Sequence, residues 1–114
     1  MHMKRTSIIR RGCYWVTLDP TVGTEMKKTR PAVVVSIDSA NRALSRVVIL
    51  PITSNVSSIF PAECLVTMNG VQHKVIASQI RTVSKLRVGN YIAELSIQDM
   101  NSVESAIKLH LGIE

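Results

Sequence analysis

Residues 23–36 read GTEMKKTRPAVVVS, and this stretch organises the predicted fold. A polar loop with one carboxylate and three cations runs directly into an unbroken apolar segment. Pro31 biases Arg30 away from the helical region, and a proline fits the first residue of a strand. We therefore expect a buried strand over residues 32–37, with charged side chains gathered at its entrance, where a small domain can place a site.

The composition fits one domain with a hydrophobic core. The chain has 114 residues, of which 46% are hydrophobic and only 4% aromatic, so the core must consist mainly of Val, Ile and Leu. β-Branched residues of this kind favour strands. No apolar stretch approaches the length of a membrane span, and residues 1–5 lack the apolar segment of a secretory signal. A cytoplasmic protein without a membrane partner is the default expectation.

The charge balance points to the kind of partner. Lys and Arg total 14 against 8 Asp and Glu, which gives a net charge of +6. Such a balance indicates a polyanionic partner, either a nucleic acid or an acidic protein segment. Many small proteins are basic, however, so charge alone does not choose between these partners.

Short apolar segments separated by turn signals predict strands along most of the chain. Near the end the period changes: Ser96 and Asp99 resemble a capping box, an apolar stripe recurs at helical spacing, and Gly112 is a suitable stop. We expect a mostly β fold, a small barrel with a C-terminal helix, as one domain over 12–114. A basic lead-in at 1–11 precedes it, and its His2-Met3 doublet resembles a cloning remnant. The predicted strands are 12–18, 32–37, 47–52, 63–67, 75–83 and 89–94, with polar turns at 38–42 and 69–70 and a helical stripe of Met100, Val103, Ile107 and Leu111.

Several classes of chemistry find no support in the residue pattern. The three histidines are far apart and show no ligand spacing, and Cys13 and Cys64 make neither a disulfide framework nor a four-ligand zinc site. The sequence has neither a glycine-rich phosphate loop nor the nucleophile elbow of a serine hydrolase. We therefore expect no metal ion and no other cofactor.

A cationic site for a phosphodiester remains. RNA carries its own nucleophile, the 2′-hydroxyl, so a protein need only move protons and stabilise charge on phosphorus. Arg30 suits the stabilising role because its fork binds two phosphate oxygens. Arginine stays protonated in proteins, which makes Glu25 the better proton acceptor. Thr53 or Ser54 can add a neutral donor. The alternative is that Glu25 and Arg30 merely pair on the loop surface.

A set of motifs follows one another along the chain: the strand 12–18, Asp19-Pro20, Gly23-x-Glu25-x4-Arg30-Pro31, Pro51-x-Thr53-Ser54 and Gln79-Ile80-Arg81-Thr82-Val83-x-Lys85-x-Arg87. Each motif is weak alone, but their order is specific. Over about residues 11–111, the ordered set resembles the MazF/PemK (Kid) toxins of type II toxin–antitoxin pairs.

The resemblance implies an SH3-like barrel that forms a homodimer and cuts single-stranded RNA at a short sequence without metal, leaving a 2′,3′-cyclic phosphate and a 5′-hydroxyl. It implies a catalytic pair, Arg30 and Thr53, with Glu25 beside them. It also implies an antitoxin whose acidic, disordered segment occupies the RNA groove, and contact with DNA only through that complex. The expected substrate-binding residues are Thr24, Lys28, Ser54, Gln79, Arg81 and Lys85.

Two other functions share features with this pattern. Topoisomerase-poisoning CcdB proteins have a related fold, but they typically end in a Trp-Gly-Ile-like tail, whereas this chain ends LGIE and has its only tryptophan at position 15. A plain RNA-binding barrel would need stacking aromatics, which are scarce here.

The chain departs from the family pattern at two positions. Ser78 and Ser84 replace acids found in many relatives, which should leave the groove more basic. The resemblance implies that loops near 21–24 and 54–62 choose the cut site, and since these loops vary most within the family, no recognition sequence is predicted.

Overall fold

A computed structural model describes residues 7–19, 22–25 and 28–114. Residues 1–6, with Lys4 and Arg5 of the predicted lead-in, lie outside these ranges, as do Pro20 and Lys27. The described elements are β1 (Gly12–Thr17), β2 (Thr29–Val34), α1 (Asp38–Ala43), β3 (Arg46–Thr53), β4 (Glu63–Met68), β5 (Val71–Ile76), β6 (Arg81–Ser84), β7 (Val88–Glu94) and α2 (Ile97–Leu111), with 3₁₀ turns at Ala77–Gln79 and Lys85–Arg87.

The strands form one antiparallel sheet that curls around β3. Its order is β4-β5-β3-β2-β1-β7, and β6 also pairs with β3. The first half of β3 pairs with β6, whereas Ile52 and Thr53 pair with β5. Pro51 lies between the ladders with β6 and β5, so neither of these two ladders needs the N–H that proline lacks. The result is a half-barrel with a C-terminal helix in a single domain, which confirms the predicted fold class.

The sheet buries apolar side chains on both faces. On one face, Val33, Leu50 and Val75 pack with Met100 and Val103 of α2. On the opposite face a second cluster is formed by Tyr14, Val16, Leu18, Ala32, Val34, Val47, Ile49 and Val83. Successive residues of a strand point to opposite faces, so the unbroken apolar run in β2 fills both cores. The predicted burial of this strand on both faces is confirmed.

The predicted signals of α2 are confirmed at both ends. The Ser96 hydroxyl accepts a hydrogen bond from the Asp99 N–H (3.0 Å), and Gly112 adopts the left-handed conformation (φ 70°) that ends the helix. The Asp99 carboxylate also accepts from the Thr67 N–H (2.9 Å), which fixes the start of the helix to β4. Of the predicted stripe, only Leu111 is exposed.

Four segments differ from their prediction. The strand predicted over 32–37 lies three residues earlier, as β2 (Thr29–Val34), and Ile37 is exposed. Residues 38–42, predicted as a polar turn, form most of the short helix α1. Residues 75–83, predicted as one strand, include the end of β5, a 3₁₀ turn and the start of β6, because this segment pairs in succession with both halves of β3. The strand β5 was not predicted over most of its length, since its polar residues Gln72, His73 and Lys74 mask the apolar pattern.

The residues just before β1 are fixed to the rest of the fold. Arg10 donates to the carbonyl of Val35 (3.1 Å) and to the carboxylate of Glu104 on α2 (2.8 Å). Arg11 donates to the carbonyl of Leu95 (3.0 Å) and to Glu94 (2.8 Å). The described part of the lead-in therefore ties β1 to the C-terminal helix. None of the helices in the described ranges is long and apolar enough to cross a membrane.

Candidate functional site

The pairing of β2 with β3 indicates that Arg30 and Thr53 lie close together, just beyond the last observed partners of this ladder. The observed partners are Ala32 with Pro51 and Val34 with Ile49, and extending this register by two residues sets Arg30 opposite Thr53. Side chains two apart share a face, so Arg30 lies on the face of Ala32 and Thr53 on that of Ile49, both turned away from α2. Both residues are partly exposed. The predicted catalytic pair thus lies at one end of the curled sheet, accessible to a ligand.

Arg81 reaches the same end of the sheet from β6. Its backbone pairs with Ile49, and it shares a face with Val83. Its guanidinium donates to the carbonyl of Leu18 (3.3 Å), two residues beyond Val16, the partner of Arg30 in β1. This contact spans the curl from β6 to the end of β1. Arg81 therefore has a structural role. The other nitrogens of its guanidinium lie near the end of β1, the strand whose Val16 pairs with Arg30.

The predicted charged loop is closed at its base. The Leu18 N–H donates to the carbonyl of Lys28 (2.8 Å), and Arg87 donates to the carbonyls of Thr17 (3.1 Å) and Asp19. Within the described part of the loop, Thr24, Glu25 and Lys28 are exposed. The Glu25 carboxylate accepts from the Val22 N–H (2.6 Å), so it also closes its own turn. This local bond supports a structural role beside the predicted catalytic one.

Ser54 and Gln79 flank the pair from two loops. Ser54 is exposed directly after Thr53, whose hydroxyl oxygen accepts a hydrogen bond from the Asn55 N–H (3.2 Å). Gln79 is partly buried and ends the 3₁₀ turn Ala77–Gln79 rather than standing in a strand. The single strand predicted over 75–83, which would set Gln79 and Arg81 on one face, is therefore wrong. Gln79 lies where β3 changes partner.

Lys85 lies apart from the other predicted site residues. Its N–H donates to the carbonyl of Ser45 (2.9 Å), just before β3 begins, whereas Thr53 ends that strand. Seven residues of strand separate the two ends by roughly 23 Å. Lys85 instead lines a cleft of about 490 Å³ that includes Tyr14, Asn41 and Tyr91. Its part in substrate binding remains a prediction.

One residue next to Thr53 was missed by the sequence reasoning. Lys74 of β5 is the direct cross-strand partner of Thr53, so both side chains lie on one face. Its ammonium contacts the carboxylate of Glu63 (3.1 Å) and donates to the carbonyl of Ser58 (2.9 Å). The signal was present in Asn69-Gly70: a two-residue hairpin turn there fixes the β4–β5 register and brings Glu63 diagonally close to Lys74.

The thiols take no part in this site. Cys13 is fully buried, and burial raises the pKa of its thiol to about 12. Burial, with a smaller contribution from the charge of Asp99, raises the pKa of the Cys64 thiol to about 11. Both thiols stay protonated near neutral pH and act as small apolar side chains. Across the described ranges, no group of three or more His, Cys, Asp and Glu residues is placed to hold a metal ion.

The remaining groups suit a phosphodiester. A planar guanidinium at Arg30 can bind two phosphate oxygens, Thr53 and Ser54 add neutral hydroxyl donors, and Glu25 supplies a carboxylate at the exposed loop. Arg81 and Lys28 add positive charge around them. This arrangement can bind a polyanion and stabilise additional negative charge on it.

Comparisons with known proteins give one consistent result. The profile of a family described as PemK-like, MazF-like toxins of type II toxin–antitoxin systems matches residues 9–111. The endoribonuclease MazF9 of Mycobacterium tuberculosis is 37% identical over an alignment of 116 positions, gaps included. The alignment covers 93% of this chain and 98% of that protein.

Solved structures agree in fold. MazF of Deinococcus radiodurans superposes with a TM-score of 0.85 at 23% identity, covering 96% of this chain and 100% of its own. A mycobacterial endoribonuclease, solved in complex with its cognate antitoxin, superposes with a TM-score of 0.78 at 23% identity, covering 93% and 96%.

Proposed function

This chain belongs to the PemK-like, MazF-like toxins of type II toxin–antitoxin systems, and we propose that it is an endoribonuclease that cleaves single-stranded RNA at a short sequence. The names of its relatives support RNA cleavage. The observation that carries the proposal is the β2–β3 register, whose extension by two residues would set Arg30 opposite Thr53 on an accessible face. No observation favours the CcdB-like poison or the plain RNA-binding barrel.

In the proposed reaction the substrate supplies the nucleophile. The 2′-oxygen attacks phosphorus while Glu25 takes the proton of the 2′-hydroxyl, and the bond from phosphorus to the 5′-oxygen breaks. The leaving 5′-oxygen takes up a proton from solvent water, so the products are a 2′,3′-cyclic phosphate and a 5′-hydroxyl. The Arg30 fork and the Thr53 hydroxyl stabilise the charge that builds on the non-bridging oxygens. No step requires a metal ion.

RNA binding is proposed to extend along the cationic face around this pair. The net charge of +6 supports attraction of an extended polyanion, and phosphate contacts of this kind weaken as salt rises. Six residues are proposed to bind the substrate: Thr24, Lys28, Ser54, Gln79, Arg81 and Lys85. Lys85, which lies about one strand length from Thr53, would contact a distant nucleotide or RNA bound across a homodimer.

The same positive charge supports the proposed inhibitor. A mycobacterial endoribonuclease of the same fold is known in complex with its cognate antitoxin. We propose that a cognate antitoxin with an acidic, disordered segment covers the RNA-binding face of this chain in the cytoplasm. Contact with DNA would then arise only through the toxin–antitoxin complex.

Replacing Thr53 with valine is expected to lower kcat about fivefold. The change removes one neutral hydrogen bond to the phosphate, and such a bond contributes about 1 kcal/mol. Valine keeps the shape and strand preference of threonine, so the folded state should survive, although the Asn55 N–H loses its acceptor. Single-turnover cleavage of a short RNA measures the effect.

Thr53→Ser is the matched control for this change. Serine keeps the hydroxyl and the bond from Asn55, and it should restore most of the rate. A Thr53→Val protein that is well folded and cuts RNA at the wild-type rate would remove Thr53 from the site.

The experiment that tests the proposed function directly is incubation of the purified protein with single-stranded RNA in EDTA. Cleavage is expected, and it should stop when the nucleotide on the 5′ side of the cut lacks its 2′-hydroxyl. Cleavage of that deoxy-substituted strand would contradict the mechanism, because no nucleophile would remain in it.

A further inference from the structure

The loop 54–62, which joins β3 to β4, begins at Thr53 and is held along its length by hydrogen bonds. Its first turn is closed by the bond from the Asn55 N–H to Thr53 and by bonds from Ser57 to the Asn55 side chain (2.7 and 3.2 Å). At its far end the Ala77 N–H donates to the carbonyl of Ala62 (3.0 Å). These bonds therefore hold both ends of the loop, and its first residues lie directly next to Thr53.

The middle of this loop is held by the ion pair of Lys74 with Glu63. Their side chains are only 10% and 12% exposed, and the nitrogen–oxygen distance is 3.1 Å. Each partner also binds the loop backbone: Lys74 donates to the carbonyl of Ser58 (2.9 Å), and Glu63 accepts from the Phe60 N–H (2.9 Å). The pair thus fixes residues 58–60 directly.

The held segment presents apolar side chains to solvent. Phe60, the only phenylalanine of the chain, is 63% exposed, and its neighbour Ile59 is 46% exposed. An exposed aromatic ring on a rigid backbone is a suitable surface for stacking a nucleobase. Lys74 lies opposite Thr53 on the same face, so the segment it holds borders the site.

We propose that Lys74 and Glu63 are positioning residues that hold Phe60 beside Thr53, where its ring stacks on a base flanking the scissile phosphate. This inference rests on the proposed RNA cleavage. To that reaction it adds a contact between Phe60 and a base, and an ion pair, Lys74 with Glu63, that orients the ring. Neither Lys74 nor Glu63 touches the phosphate, because the ammonium and the carboxylate are engaged with each other and with the loop backbone.

A role in stability alone explains the pair less well. Removing two charges from water is costly, and a buried ion pair often stabilises a fold no better than apolar side chains of similar size. The two additional bonds of this pair go to the loop that carries the exposed ring, and not to the core. The arrangement is that expected of a device that fixes a loop.

The test measures KM and kcat on a short single-stranded RNA that contains a wild-type cut site, together with Tm for every variant. Phe60→Leu is expected to raise KM roughly tenfold with kcat nearly unchanged, because the variant loses one base stack. Phe60→Trp should keep the wild-type KM. Lys74→Met and Glu63→Gln should each raise KM several-fold. Adding Phe60→Leu to Lys74→Met should raise KM little further, because both substitutions remove the same stacking contact.

Arg10→Met is the matched control, because it breaks an ion pair to Glu104 on α2, on a different element from the loop. It should lower Tm without changing KM. If Lys74→Met and Glu63→Gln behave like Arg10→Met, the positioning role is overturned. If Phe60→Leu keeps the wild-type KM, the proposed base contact is overturned. This holds even if Lys74→Met and Glu63→Gln fail to fold. A wild-type protein that cuts no RNA overturns the proposed function, and the inference with it.

Discussion

Replacing Arg30 with alanine is expected to lower the rate of RNA cleavage by about two to three orders of magnitude. Losing one donor aimed at the developing charge of a transition state typically has an effect of this size. Arg30 is partly exposed at the entrance of β2, and the apolar residues that follow it form the core. The fold should therefore survive, with Tm changed by only a few degrees. Single-turnover cleavage and circular dichroism measure the two quantities.

Two control variants separate geometry from charge. Arg30→Lys keeps the charge but loses the planar fork, so it should recover only a small part of the rate. Arg42→Ala removes one positive charge from an exposed position on α1, and cleavage should stay close to the wild-type rate. Full activity in Arg30→Ala would show that the assigned phosphate contact is wrong.

Replacing Glu25 with glutamine is expected to lower kcat about a hundredfold. The glutamine oxygen can still accept from the Val22 N–H, so the turn stays closed while the proton acceptor is lost. A positioned general base typically contributes a factor of this order or more. The measurement is single-turnover cleavage at saturating protein, which excludes an effect on binding.

The control for Glu25→Gln is Thr24→Val, which alters the neighbouring exposed side chain and leaves the carboxylate in place. It should change RNA binding more than kcat. A Glu25→Gln protein whose kcat stays within about threefold of wild type would limit Glu25 to closing its own turn.

Local signals explain why much of the fold could be predicted from the sequence. The β2 run is apolar at every position from 32 to 35 because both faces of the sheet are covered, and Ser96, Asp99 and Gly112 bound the helix through their own hydrogen bonds and backbone angles. Asn69-Gly70 forms the predicted turn, with both residues at positive φ. Each of these features depends on residues that are close together along the chain.

The features that the sequence did not predict depend on contacts between residues that are far apart along the chain. The 3₁₀ turn Ala77–Gln79 exists because β3 exchanges β5 for β6 as its neighbour, and no residue within 75–83 signals that exchange. Arg81 looked like a substrate contact, yet its fork also reaches the carbonyl of Leu18, 63 positions away in sequence. Lys74 was overlooked because its importance comes from Thr53 and Glu63 on two other strands.

The candidate site was therefore better predicted at its centre than around it. The expected proximity of Arg30 and Thr53 depends on a single strand register, extended by two residues beyond its last observed pair. The surrounding contacts depend on how loops 18–28 and 54–62 are held, and long-range hydrogen bonds decide that.

The most direct test of the central claim is to map the cut ends of a long RNA incubated with the purified protein in EDTA. We expect cuts only at single-stranded sites that share a short sequence, each leaving a 2′,3′-cyclic phosphate and a 5′-hydroxyl, and no cuts with Arg30→Ala. Cutting that appears only after Mg²⁺ is added, or fragments that carry 5′-phosphates, would contradict it.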